Sequence, residues 1–206
     1  MVKILAKMVI LLAVMAICLP VKGEILVYSK TLKCWEATEG ENWDITKQTV
    51  KGYLVLDVTY NDDGEIEALN SAYQVEYGRN NSREKIYTEV EHNFDIIRVV
   101  VRNRIEWVLV ETDSDDSGGE MTMVRGRAAY YRIGSTGPNE VAKSLSGNRL
   151  GYWNDGGTEN LVMCEWSLRF KEDWTRWINE DEQTIGEALD NIELWLEARG
   201  YNPGET

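Results

Sequence analysis

Asp113, Asp115, Ser117 and Glu120 are the residues of this chain best spaced to do chemistry. They stand in the run Asp113-Ser114-Asp115-Asp116-Ser117-Gly118-Gly119-Glu120. Oxygen donors at alternate positions with a glycine to turn the chain are what a calcium loop requires. Such a loop also needs a bidentate Glu at its twelfth position, and here that position is Val124, with strand-like sequence on both flanks. Charge runs of this kind usually mark solvated turns. We therefore expect an acidic hairpin tip in water, no resident cofactor, and calcium as the one ion worth testing.

Nucleophilic and metal chemistry find less. His92 is the single histidine, flanked by acids in Glu89-Val90-Glu91-His92-Asn93, and reads as a solvated loop residue. A triad would have to assemble around it from distant positions, and no Gly-x-Ser-x-Gly elbow is present. Zinc would need ligands at close spacing, which one histidine and scattered cysteines do not supply. Phosphate-binding glycine loops are missing, and the glycine pairs at 118–119 and 156–157 sit in acidic or polar turns. A glycosidase would need two facing carboxylates, and 35 acids offer too many pairs to choose from. The sequence nominates no catalytic residue, and the expectation is a protein that is not an enzyme.

Cys34 and Cys164 are the candidate disulfide. Each lies on the apolar side of a strand-like run: Cys34 with Leu26 and Leu32, Cys164 with Val162, Trp166 and Leu168. Two cysteines facing one core can meet, and an even count in an exported chain suits a bridge. Eight tryptophans and ten tyrosines add a different chemistry, stacking on sugar rings. Trp35, Trp43 and Trp153 have polar neighbours and form the candidate aromatic binding surface. Trp107 and Trp166 share faces with apolar residues and read as core. Trp174 and Trp177, three apart, would share one helical face turned inward.

The elements that must position these residues are mostly strands. Leu54, Leu56, Val58 and Tyr60 repeat at period two, and Asn61-Asp62-Asp63-Gly64 then turns the chain. Similar runs cover Ile25–Trp35, Ala72–Tyr77, Lys85–Glu91, Ile96–Val101, Ile105–Thr112, Glu120–Ile133, Arg149–Trp153 and Asn160–Phe170, with a tight turn at Arg102-Asn103-Arg104. The period then changes. A helical turn or two is expected over Asp173–Glu180. Thr184-Ile185-Gly186-Glu187 is a capping box, and Ile185, Leu189, Ile192 and Leu196 form a stripe that Gly200 ends. The expected fold is mainly β: an antiparallel β sandwich or barrel-like sheet with a C-terminal amphipathic helix packed on it. We divide the chain into a leader over 1–23, a β-rich domain over 24–170 and a helical tail over 171–206. Echoes between Val50-Lys51-Gly52 and Val124-Arg125-Gly126, and between Ile105-Glu106-Trp107 and Cys164-Glu165-Trp166, raise two related halves (about 24–115 and 119–170) as an alternative to chance.

Residues 1–23 carry Lys3, Lys7 and then an uncharged apolar run from Met8 to Pro20 that includes Cys18. With Val21-Lys22-Gly23 after it, the segment has the three parts of a secretory signal peptide cut after Gly23. The formal charge of −13 loses three lysines with the leader, so the mature chain has 19 basic against 35 acidic residues, net −16. Such a surface disfavours nucleic acid and, once the leader is gone, anionic membranes. The sequence thus leads to a secreted or periplasmic binding or scaffolding module. Its partner would be a protein or a glycan, with a carboxylate-based polysaccharide hydrolase as the enzymatic alternative.

Overall fold

The computed structural model describes residues 23–39, 44–80, 82–133 and 138–204, so residues 1–22 of the leader and Trp43 lie outside the described residues. The first strands are β1 (Gly23–Thr38), β2 (Asp44–Tyr60), β3 (Ile66–Arg79), β4 (Lys85–His92) and β5 (Asp95–Val101). There follow β6 (Arg104–Asp115), β7 (Gly118–Arg132), β8 (Pro138–Ala142), β9 (Ser144–Asp155) and β10 (Thr158–Phe170). Helices α1 (Glu172–Glu180) and α2 (Ile185–Glu197) precede the two-residue β11 (Asn202–Pro203). Strand makes up 70% of the described residues and helix 13%, so the protein is mainly β with helices at its C-terminal end.

The strands form one sheet in the order β11-β4-β3-β2-β1-β10-β9-β7-β6-β5, with β8 on β7. Pairing is antiparallel throughout except for β11 on β4. Short turns carry the hairpins. Asn61 Oδ1 accepts from the N–H groups of Asp63 and Glu65 and fixes the β2–β3 turn. Arg102 and Asn103 both take positive φ, 49° and 60°, the two left-handed residues that a twist-matched hairpin turn between β5 and β6 requires.

The sheet wraps round its own apolar face, and its two ends meet. Leu26, Tyr28, Leu54, Leu56, Trp107, Leu109, Val124 and Leu168 fill the interior. The strand order puts β3 and β4 far from β5 and β6, yet His92 at the end of β4 lies 2.8 Å from Glu111 of β6. A second clasp lies at Arg98 of β5, 2.6 Å from Glu140 of β8 and 2.7 Å from Glu65 beside β3. Glu140 is fully buried, and its carboxylate also accepts from Trp107 Nε1. The barrel-like form of the expected fold is the one observed.

Helices cover the outer face of β1–β3. Ile25, Val27, Tyr53, Val55 and Val75 turn outward and pack against Ile178, Ala188, Leu189, Ile192 and Leu196. The α2 helix begins as its sequence predicts: the Thr184 side chain accepts from Glu187 N–H and the Glu187 carboxylate accepts from Thr184 N–H. Residues before Tyr28 have no β10 partner. There α1 supplies the missing bonds: Asn179 donates to Ile25 O and accepts from Ile25 N–H, and Thr175 Oγ1 accepts from Val27 N–H. Trp174 stacks on Tyr53 as its inward expectation requires, but Trp177 is 42% exposed. Thr175 and Ile178 are the buried residues that set the inward side of α1, so Trp177 falls to its flank, edge-on to Trp174.

Candidate functional site

Lys30 is the anomaly of the interior. It follows Leu26 and Tyr28 and precedes Leu32 on the inward side of β1, so strand alternation carries an ammonium into the core, where its side chain is 1% exposed. Its β2 neighbour is Gly52, and the β3 neighbour of Gly52 is Glu76. The glycine leaves a gap in the side-chain row, and the two charges meet across it, Lys30 Nζ to Glu76 Oε1 at 2.6 Å. A side chain at position 52 would also run into the Val75 carbonyl. Lys30 lies 4.0 Å above the centre of the Trp166 ring, a cation–π contact. Burial lowers its pKa to about 8, against the opposing pull of Glu76. A charge in the interior persists only when paired and hydrogen-bonded, and Lys30 has both partners.

From Glu76 the polar groups continue as a chain across the seam of the sheet. Gln74 Nε2 donates to Glu76 Oε1, which turns Gln74 Oε1 toward His92 Nε2 at 2.9 Å. His92 Nδ1 lies 2.8 Å from Glu111 Oε2, and Asn93 N–H donates to Glu111 Oε1 at 2.8 Å. Both ring nitrogens of His92 thus face oxygen acceptors. Burial pushes the Glu111 carboxyl upward, but its bonds from His92 and Asn93 and the nearby charges of His92 and Arg149 outweigh that and hold it below the usual range. The expectation of a solvated loop residue is corrected at His92. Its ring stacks on Phe94 at 4.6 Å and meets the edge of Trp166 at 5.8 Å, because the bend from β4 to β5 folds it under the seam.

A cleft opens above this chain. β2 and β3 are paired only as far as Lys51 and Tyr77; beyond that point β2 continues on β1 alone and parts from β3 and β4. The fork encloses about 740 Å³, within the range of small-ligand sites. Thr46 and Gln48 form one wall, Thr88 and Asn80 the other, with Glu76 at the floor and Arg79 at the mouth. Hydroxyls, amides and one carboxylate converge there, beside Tyr77 and Tyr87.

The residues singled out in the sequence are placed as follows. Cys34 and Cys164 are direct partners across β1 and β10, their sulfurs at disulfide-bonding distance. The acidic run forms the β6–β7 hairpin, and Asp115 Oδ1 is occupied by Ser117 N–H, Ser117 Oγ–H and Gly118 N–H. Those bonds hold the Asp115 carboxyl below its usual range. Asp113 pairs with Glu120 across the hairpin, but the Glu120 carboxylate is turned to Arg149 at 2.5 Å. Among the described residues no three acidic, histidine or cysteine side chains form a metal-binding group. Trp35 and Trp153 fall on opposite faces: Trp35 is opposite Met163, and Trp153 is opposite Asn160, one face over. They do not form one platform.

Lys30, Glu76, Gln74 and the cleft are absent from the sequence-based candidates. One signal was available for Lys30, its even spacing with Leu26, Tyr28, Leu32 and Cys34. Comparison with protein-family models, with curated proteins and with solved structures finds no match.

Proposed function

We propose that the protein is an exported, non-catalytic binding module whose ligand is a neutral oligosaccharide held in the fork between β2 and β3–β4. The observation that carries this reading is the lining of the cleft. Thr46 and Thr88 line it with hydroxyls and Gln48 with an amide, groups that both donate and accept as sugar hydroxyls do. A carboxylate fixed in place by Lys30 and Gln74 strengthens the hydrogen bonds it accepts, since bonds to ionised groups are roughly twice as strong as neutral ones. Binding rather than turnover follows from the same lining. Glu76 is the one carboxylate among the described residues lining the cleft, and glycoside hydrolysis needs a facing pair.

Export rests on the leader-like residues 1–23 and on the facing cysteines. No helix among the described residues is long and apolar enough to cross a membrane. Calorimetric titration of the mature chain with a panel of neutral oligosaccharides tests the reading. Heat of binding that disappears in both Glu76→Gln and Thr88→Val, with melting temperatures recorded for each, supports it. No heat with any member of the panel refutes it, and hydrolysis of a bound member would replace binding by turnover.

A further inference from the structure

We infer that the ligand of the fork is an O-glycosylated polypeptide, whose chain adds as an extended strand to the free edge of β2 while its sugar fills the cleft. The inference rests on the sugar reading of the cleft and adds the carrier of the sugar. Beyond its last partner on β3, β2 has an arm from Asp44 to Val50 that keeps its β1 partners without a register shift. That arm is about 23 Å long at about 3.3 Å per residue. Every second residue along it turns its N–H and C=O away from β1 and into the fork. Among the described residues no other backbone group meets them there.

Open strand edges are normally covered, or blunted by charge, proline or a bulge. The outer edge of β4 is covered by the chain itself: β11 pairs with Ile86 and Tyr87, and Gly204 N–H donates to Tyr87 O. The β2 arm has no proline, and the register shifts of β2 against β3 lie at its other end, past Asp57. Lys47 lies 5.3 Å over the centre of the Trp35 ring, which holds its charge toward β1 instead of out over the edge. There is also room beside the arm. β3 ends at Arg79, just past Tyr77, and a side chain at Gly78 would meet nothing within 4 Å. A row of free N–H and C=O groups is matched by another extended chain, the edge-addition mode of peptide recognition.

Strand alternation sets where the sugar goes. Thr46 and Gln48 stand on the concave side of the arm and line the cleft. An added strand places every second side chain beside them. A sugar carried there on a serine or threonine oxygen lies between Thr46, Gln48 and Thr88, above Glu76. The ligand is therefore a neutral sugar O-linked to an extended segment.

Calorimetric titration of the mature chain with a set of synthetic peptides tests the inference. The parent peptide alternates threonine and glutamine over seven residues. Its central threonine carries, O-linked, the neutral disaccharide that binds most tightly in the oligosaccharide panel. It should bind about tenfold or more tighter than the free disaccharide, because the second contact becomes intramolecular. Methylating the backbone nitrogen of every second peptide residue removes the donors on one side of the strand. One phase of methylation should return the affinity to that of the free disaccharide; the other, whose nitrogens face away from β2, should leave it unchanged. Equal effects of the two phases, or a glycopeptide no tighter than its free disaccharide, overturn the inference and leave the sugar reading of the cleft standing. A bare peptide as tight as the glycopeptide, or a panel with no bound disaccharide, overturns both.

Discussion

Replacing Arg98 should destabilise the fold more than replacing its partner Glu140, although both changes break the same ion pair. In Arg98→Met the survivor is the Glu140 carboxylate, which has 0% side-chain exposure and cannot reach water. In Glu140→Gln the survivor is the Arg98 guanidinium, which is 24% exposed, keeps Glu65 at 2.7 Å and can hydrate. Leaving an uncompensated buried charge costs about 3–5 kcal/mol, so we expect about 4 kcal/mol for Arg98→Met. Loss of charge-assisted bonds with a hydratable survivor costs about 1.5–3 kcal/mol, so about 2 kcal/mol is expected for Glu140→Gln. For a chain of this size these values lower the melting temperature by roughly 8–16 °C and 4–8 °C. Urea melts at pH 7 read both costs. Equal costs for the two variants would refute the reasoning.

Lys30, with its pKa lowered to about 8, binds fewer protons folded than unfolded between that pH and its ordinary value. Its contribution to stability therefore rises as pH increases from about 8 toward about 10; Trp166 fluorescence should titrate near pH 8 in the wild type and not in Lys30→Met. Cys34 and Cys164 should be bridged, with no free thiol in the unfolded, unreduced mature chain. Reduction should cost about 5 kcal/mol, the chain-entropy value for a loop of that length, measured as a fall in denaturant midpoint. Thr184→Ala removes the side-chain acceptor of the α2 capping box and should cost about 1 kcal/mol, and an unchanged midpoint would count against it.

Where the apolar residues alternate with polar ones, the sequence is legible. Leu54, Leu56, Val58 and Tyr60 mark β2, and the Ile185–Leu196 stripe with its Thr184 cap marks α2, which runs over Ile185–Glu197. The same alternation makes Cys34 and Cys164 face one interior. It fails where a polar side chain takes an inward position, because polarity is then read as exposure. Lys30, Glu76, Arg98 and Glu140 are all of this kind, and what makes each tolerable is a partner 33 to 46 residues away in sequence. Leu161-Val162-Met163-Cys164 shows a second limit. A run apolar on both faces reads as a doubly buried strand, yet Leu161 and Met163 are 43% and 47% exposed. The echo between Ile105-Glu106-Trp107 and Cys164-Glu165-Trp166 reflects a shared local solution. Each tryptophan points inward against a glycine on the next strand, Gly126 and Gly147.

The adjacency of β1 and β10 bears on how the molecule reaches this state. Hairpins such as β2–β3 and β6–β7 can close within microseconds of becoming available, but the β1–β10 ladder joins residues 130 or more positions apart at Cys34–Cys164 and beyond. Ladders of such high contact order form slowly, since the entropy of closing the loop is lost before the contacts reward it. A chain emerging from its N-terminus must therefore hold β1 with one edge open until residues 158–170 arrive. Any truncation before Phe170 leaves that edge exposed, and the fragment is predicted to stay open and prone to pairing with its neighbours instead of folding as a smaller version of the whole.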